Sequence, residues 1–169
     1  PTIRARTLQL NCLTVHYADL WNRNLPKKKD LLPSAKADDP RSAGRCAGWE
    51  KMPRTWCWEA PLRTPYARRQ ALVELDALAA LSLKMTLDEL LLIYRVQFPV
   101  LQQYERETYY DRRGKIVFTV NKGLSGVGLD RKQWEQIKDA KAGDRLPEWA
   151  VDAGGAFVPP FDRCDREED

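Results

Sequence analysis

The sequence predicts an α+β fold: a helix-rich core, a small antiparallel β-hairpin and sheet near the C-terminus, and an irregular proline-rich arm. Three observations predict it. Apolar residues recur at helical spacing near the N-terminus and again between positions 65 and 97. Prolines and glycines interrupt every period between Asn22 and Pro61. The pattern then shifts to strand-forming residues around Lys115, Ile116, Val117, Phe118, Thr119 and Val120. With 169 residues the chain is long enough to bury a core. Its expected organisation is an N-terminal helix over 1–21, an arm over 22–61 and a helical core with hairpin over 62–169, all in one compact unit.

Positions 7–21 read as a helix, because Leu10, Leu13, Tyr17, Leu20 and Trp21 fall on one face and Leu8, Cys12 and Val15 on another. The arm that follows carries Pro26, Pro33, Pro40, Pro53 and Pro61 with Gly44 and Gly48. No helix survives that punctuation. Trp49, Trp56 and Trp58 are its bulky apolar residues, expected to pin it to the core, while the part from Lys27 to Arg45 is expected to be mobile.

Thr64-Pro65 is a helix start, with threonine as cap and proline in the first turn. The helix is expected to reach Lys84 and, through Leu72, Leu75, Leu78, Ala79 and Leu83, to be the central buried one. Thr86 and Glu89 have the spacing of a capping box, opening a helix that ends before Pro99. A further helix is expected over 100–107. Tyr109-Tyr110, a turn at Asp111–Gly114 and the strand after it read as a hairpin. A glycine loop follows, Gly123-Leu124-Ser125-Gly126-Val127-Gly128, then a polar surface helix over 129–142 and a short extended segment over 153–160.

Charge and cysteine content narrow the classes of function. Lys and Arg number 28 against 24 Asp and Glu, a net +4, which permits a nucleic-acid partner without requiring one. The first thirty residues hold six basic groups against two acidic, the last ten hold two against five. Both ends read as cuts through a longer protein. Cys12, Cys46, Cys57 and Cys164 form no C-x-x-C pair, as expected of reduced cysteines in a cytoplasmic protein. No apolar run approaches the length of a bilayer, so no membrane partner is expected.

Four patterns invite a functional reading. The glycine loop lies between a strand and a helix, where glycine amides can cradle phosphate or a methyl-donor cofactor. Its G-x-x-G-x-G order lacks the dinucleotide spacing and the phosphate-loop lysine. Val158-Pro159-Pro160-Phe161 is similar to the catalytic tetrapeptide of amino-methylating DNA enzymes, but Val158 stands where a hydrogen-bonding side chain must receive the target amine. Cys12 and His16, four apart on the expected helix, have the spacing of two metal ligands that Cys46 and Cys57 would complete. Those two are too far apart for a finger, and no metal is expected. Glu74 and Asp76 lie in an apolar helix and are expected to pair with arginine, Asp76 with Arg69, rather than to catalyse. No catalytic residue is assigned.

Basic residues interleaved with aromatics are the remaining signal. Arg112, Arg113, Lys115, Lys122, Arg131 and Lys132 surround the hairpin and glycine loop, with Tyr109, Tyr110 and Trp134 nearby. A hairpin tip can enter a groove, and aromatics can stack on bases. Arg131 and Lys132 would also open a helix whose first amides favour anions. Lys27, Lys28 and Lys29 form a competing patch on the arm.

Several longer blocks resemble a known family. They are Leu10-Asn11-Cys12-Leu13-Thr14 with His16-Tyr17-Ala18-Asp19-Leu20-Trp21, the run from Arg63-Thr64-Pro65-Tyr66 to Glu74-Leu75-Asp76, and Glu89-Leu90-Leu91-Leu92-Ile93-Tyr94-Arg95-Val96-Gln97-Phe98-Pro99. Gly114-Lys115-Ile116-Val117-Phe118-Thr119-Val120 and Pro160-Phe161-Asp162-Arg163-Cys164-Asp165-Arg166-Glu167-Glu168-Asp169 complete the set. Together they resemble the C-terminal part of large bacterial adenine-specific DNA methyltransferases of restriction–modification and phage defence, the type IIG and BREX-type enzymes. The resemblance implies a parent enzyme that transfers a methyl group from S-adenosylmethionine to adenine in double-stranded DNA. The cofactor loop and catalytic tetrapeptide of that family lie upstream, so this part would carry no cofactor. It would contact DNA or recognise the target. The alternative is a structural or protein-interaction module that braces the catalytic domain. Its partners would be double-stranded DNA and the rest of the parent chain.

Overall fold

A computed structural model describes residues 1–32, 39–42 and 52–169. The fold is α+β, and its packing divides it into two units, Pro1–Lys84 and Met85–Asp169. This boundary differs from the expected ones at 21 and 61. The long helix groups with the N-terminal helix and the arm, and not with the hairpin.

In the first unit, α1 (Thr2–Asn11) packs against α3 (Pro65–Ser82). The single helix expected over 7–21 is in fact two. A turn of 3₁₀ helix at Val15–Tyr17 leads into α2 (Ala18–Asn24). The break has a visible cause in where the last carbonyls of α1 find donors. Gln9 O accepts from Leu62 N (2.9 Å), Leu10 O from Arg68 Nη1 (2.9 Å) and Cys12 O from the Trp56 indole (2.7 Å). Carbonyls taken up by distant parts of the chain do not need the next turn of helix.

The described parts of the arm are held the same way, by side chains that serve backbone. Asn22 Oδ1 accepts from Trp56 N (2.8 Å), Trp21 donates to Pro53 O (3.3 Å) and Arg54 donates to Leu25 O and Pro26 O. Ala5, Leu8, Cys12, Trp21, Leu25, Met52 and Ala60 make one core cluster, with Trp56 and Cys57 packed on it. Trp56 therefore pins the arm as expected. Trp58 does not, being exposed. Trp49 and positions 33–38 and 43–45 of the stretch expected to be mobile lie outside the described residues; Lys28–Asp30 forms a 3₁₀ turn.

Thr64 caps α3 through its hydroxyl, which accepts from Ala67 N. Burial along α3 is concentrated in its first half, at Tyr66, Ala67, Arg69, Gln70 and Ala71, with Ala80 buried near its end. Leu72, Leu81 and Leu83 are exposed, so the expected burial along its whole leucine stripe is not found. Glu74 is paired with an arginine, as expected, and the arginine comes from another helix. Arg6 of α1, itself buried, makes a two-pronged ion pair with Glu74 and donates to Gln9 Oε1 (2.7 Å). Asp76 lies at the surface. Arg69 is buried beside Gln70, to which it donates.

A second network ties 39–42 to α3. The buried Tyr66 hydroxyl donates to Asp39 Oδ2 (2.9 Å) and accepts from Gln70 (3.0 Å), and Arg41 lies 4.3 Å above the Tyr66 ring while bonding both Asp39 oxygens. Burial alone would raise the Asp39 carboxyl, but the Arg41 and Tyr66 hydrogen bonds outweigh it and hold it at about 2. Burial pushes the Tyr66 phenol up to about 12.

In the second unit, Thr86 and Glu89 form the expected capping box of α4 (Leu87–Gln97), and α5 (Pro99–Arg106) follows. The C-terminal segment is clipped to these helices by Arg95 with Glu167 (2.6 Å) and Arg166 with Glu105 (3.2 Å). A three-stranded antiparallel sheet has the order β2 (Ile116–Phe118), β1 (Tyr109–Tyr110), β5 (Asp162–Arg163). A separate small hairpin joins β3 (Val151–Asp152) to β4 (Gly155–Ala156). The expected helix over 129–142 is the shorter α6 (Arg131–Ile137), and it is not a purely polar one. Trp134 and Ile137 anchor it in a core with Val117, Phe118, Leu129, Phe157 and Phe161. The Trp134 ring stacks at 5.6 Å on Phe118 and lies 4.6 Å from Tyr109.

Two outcomes follow for stability. Arg6→Ala leaves Glu74 without its ion pair in a largely covered site, so it should cost about 3 kcal/mol in urea denaturation. Arg6→Ala with Glu74→Ala should cost clearly less than the sum of the two single changes; additive costs would show the pair to be uncoupled. The depressed Asp39 carboxyl stabilises the fold above its unfolded value of about 3.9. That contribution is lost as pH falls through the folded value of about 2. Asp39→Asn should therefore flatten the acid limb of the stability curve below about pH 4, read as thermal midpoint against pH.

Candidate nucleic-acid interface

Asp111-Arg112-Arg113-Gly114 has aspartate first and glycine fourth, a spacing that favours a tight turn. The turn forms, with Gly114 N donating to Asp111 O (3.0 Å) and Gly114 at φ 75°. Its organiser is the Asp111 side chain, which is 0% exposed. One carboxylate oxygen accepts from Arg113 N and from Lys115 N, both at 2.9 Å. The other accepts from Val158 N at 3.1 Å. The turn is further sewn to the same segment by Arg112 N donating to Val158 O (2.9 Å). Arg112 and Arg113 thus stand exposed on a backbone that has little freedom left.

The other candidate cations fare differently. Lys115 is not available at the surface, because its ammonium donates to Asp152 (2.7 Å) and to Gly155 O (3.3 Å) and is mostly covered. Arg131 lies 3.5 Å from Glu107 and 5.2 Å over the Phe118 ring, so its charge is partly matched. Lys122 and Lys132 are exposed. The first turn of α6 offers no anion site. Asp130 Oδ1 accepts from Gln133 N (2.8 Å) and Gln133 returns the bond to Asp130 N, which places a carboxylate where an anion was expected. Lys27, Lys28 and Lys29 are exposed on the N-terminal unit, a separate patch.

The aromatics expected to stack on bases belong to the core. Trp134 and Tyr110 are buried, and Tyr109 is packed on Trp134. The glycine loop is ordered by its own hydrogen bonds and by close packing on β2. Gly123 N donates to Asn121 Oδ1 (2.9 Å), Val127 N to Leu124 O (3.0 Å) and Leu129 N to Val117 O (2.7 Å). Gly128 lies so close to β2 that a Cβ there would sit 2.5 Å from Val117 O. The Val158–Phe161 segment serves packing too, with Phe161 buried 5.7 Å from Trp134 and so unable to stack on a flipped base.

The helix expected to carry both Cys12 and His16 breaks between them. Cys12 is buried at the end of α1, where burial pushes its thiol up, and His16 is exposed in the following 3₁₀ turn. Cys57 packs on the cluster containing Cys12, and Cys46 lies outside the described residues. Among the described residues no group of three or more His, Cys, Asp and Glu is placed to hold a metal. No described helix is long and apolar enough to cross a membrane.

Comparison with protein-family models, characterised proteins and solved structures gave no match.

Asp111→Ala removes three hydrogen bonds to backbone amides and should cost about 3 kcal/mol in chemical denaturation. Asp111→Asn can still accept from Arg113 N and Lys115 N but turns an amide against Val158 N, and should fall between. Equal stability of all three proteins would deny Asp111 its organising role.

Proposed function

We propose that this chain is a non-catalytic, DNA-contacting part of a bacterial adenine-specific DNA methyltransferase, and that the contact is the Asp111–Gly114 turn. The observation that carries the contact is the pair of exposed arginines on a turn fixed by a buried carboxylate. Two guanidiniums on a pre-ordered backbone lose little entropy on meeting phosphates or a guanine edge. Exposed Lys122 and Lys132 add charge in the same unit. The methyltransferase assignment rests on the sequence blocks described above. In that reading S-adenosylmethionine and the catalytic tetrapeptide belong to other parts of the parent enzyme.

A second reading, a module that braces the catalytic domain, is favoured by α4. Leu92 (60% exposed) and Val96 (61%) leave an apolar face open on that helix. Salt separates the two readings, since phosphate contacts release counterions and apolar contacts do not.

The charge reversal Arg112→Glu with Arg113→Glu should weaken duplex binding in fluorescence anisotropy and flatten its dependence on salt by about two charges' worth. Far-UV circular dichroism should be unchanged. A double variant that binds duplex like the parent removes the turn from the interface. A parent that binds no duplex at low salt leaves the bracing module as the function.

A further inference from the structure

Trp58 stands apart from the other tryptophans of the described arm. It is 61% exposed, whereas Trp56 is half-buried with its indole bonded to Cys12 O. It is nevertheless held firmly. Its turn is rooted by Ala60, which is buried and donates to Cys57 O (3.0 Å). The Arg63 guanidinium lies 3.6 Å from the centre of the indole ring. Arg63 Nε donates to Trp58 O (2.7 Å) and Nη2 to Leu13 O (3.0 Å), so the guanidinium is fixed from two segments at once. With one ring face under Arg63, so large an exposure leaves the opposite face open to solvent.

The guanidinium over this ring bonds backbone carbonyls. Arg63 bonds carbonyls, and so does Arg68, whose Nη1 donates to Leu10 O (2.9 Å) and Leu62 O (3.2 Å). Neither guanidinium is paired with a carboxylate among the described residues. Both reach the end of α1, and between Arg54 and Arg63 the sequence holds a single acid, Glu59. A flat, open, immobilised aromatic face next to fixed positive charge is the arrangement that takes a nucleobase and its phosphate.

We propose that Trp58 and Arg63 form a stacking platform for an unpaired base of DNA, with Arg63 and Arg68 supplying the field that holds the adjoining phosphate. The proposal rests on the DNA-contacting reading above and adds a second site to it, on the N-terminal unit. The base must be unpaired because both faces of a paired base are already covered in the stack. A single strand or a nucleotide turned out of the duplex presents a free face. The arginine side of the ring is closed, so one base is taken, on the open side.

The test uses the whole 169-residue chain and a labelled eight-nucleotide thymidine strand, with a duplex as control, in fluorescence anisotropy. Trp58→Ala should weaken binding of the single strand about tenfold and leave duplex binding unchanged. Trp58→Phe should retain most of the affinity, and its retention guards against a loss caused by misfolding. Arg63→Lys keeps the charge but cannot make the same two-carbonyl fork over the ring, so it should also weaken the single strand. Equal single-strand affinity of Trp58→Ala and the parent overturns the platform. So does a protein ligand that depends on Trp58 while the thymidine strand does not bind. A parent that binds duplex through Arg112 and Arg113 but ignores the single strand overturns the platform alone. A parent that binds neither overturns the DNA-contacting reading with it.

Discussion

Short strands and long irregular segments leave backbone amides and carbonyls without a regular ladder, and buried ones must still be bonded. In this chain side chains take that part. Asp111 receives three backbone amides in the C-terminal unit. Trp21, Trp56, Arg54, Arg63 and Arg68 serve carbonyls in the N-terminal unit, and Asn22 serves an amide. The positions of α1's end, the arm and the arginine-bearing turn all depend on these bonds. Apolar packing then fills in around them, with the buried Trp21 and Trp134 each in one of the clusters.

The same requirement sorts the charged residues. Carboxylates withdrawn from water are matched by fixed donors, as Glu74 is by Arg6 and Asp39 by Arg41 and Tyr66. Lys115 is drawn under the β3–β4 hairpin by Asp152 and Gly155. Arg112 and Arg113 stay exposed on their turn. Which basic residues can meet a polyanion is thus decided by where the acids and carbonyls lie in space, and linear charge density says little about it.

Local signals in the sequence were legible where the determining atoms are local. Thr64-Pro65, the Thr86–Glu89 box and the stop before Pro99 depend on neighbours within four residues, as do the bonds inside the Asp111–Gly114 turn. The α+β class followed from them. The break after α1 was not legible, because Leu62, Arg68 and Trp56 cause it from far along the chain. The partner of Glu74 and the concealment of Lys115 are long-range for the same reason. Aromatic spacing was misleading at Tyr109, Tyr110 and Trp134, since a residue that packs a core and one that stacks on a base look alike in sequence. Trp58 is the converse. Its two companions in the arm suggested a common anchoring role, and only the geometry of Arg63 distinguishes it.

Arginine bonded to a carbonyl differs from arginine bonded to a carboxylate in one respect that extends beyond the fold. The ion pair cancels its own field, whereas the carbonyl bond leaves a full positive charge standing. Every arginine that the N-terminal unit spends on Leu10, Leu13, Leu25 or Pro26 therefore also sets its surface potential. Shape and charge are coupled there by construction, and alanine would change both together. Citrulline, which keeps the Nε–H and one terminal NH2 but carries a neutral carbonyl in place of the other, would separate them, retaining a donor for these carbonyls with the field switched off.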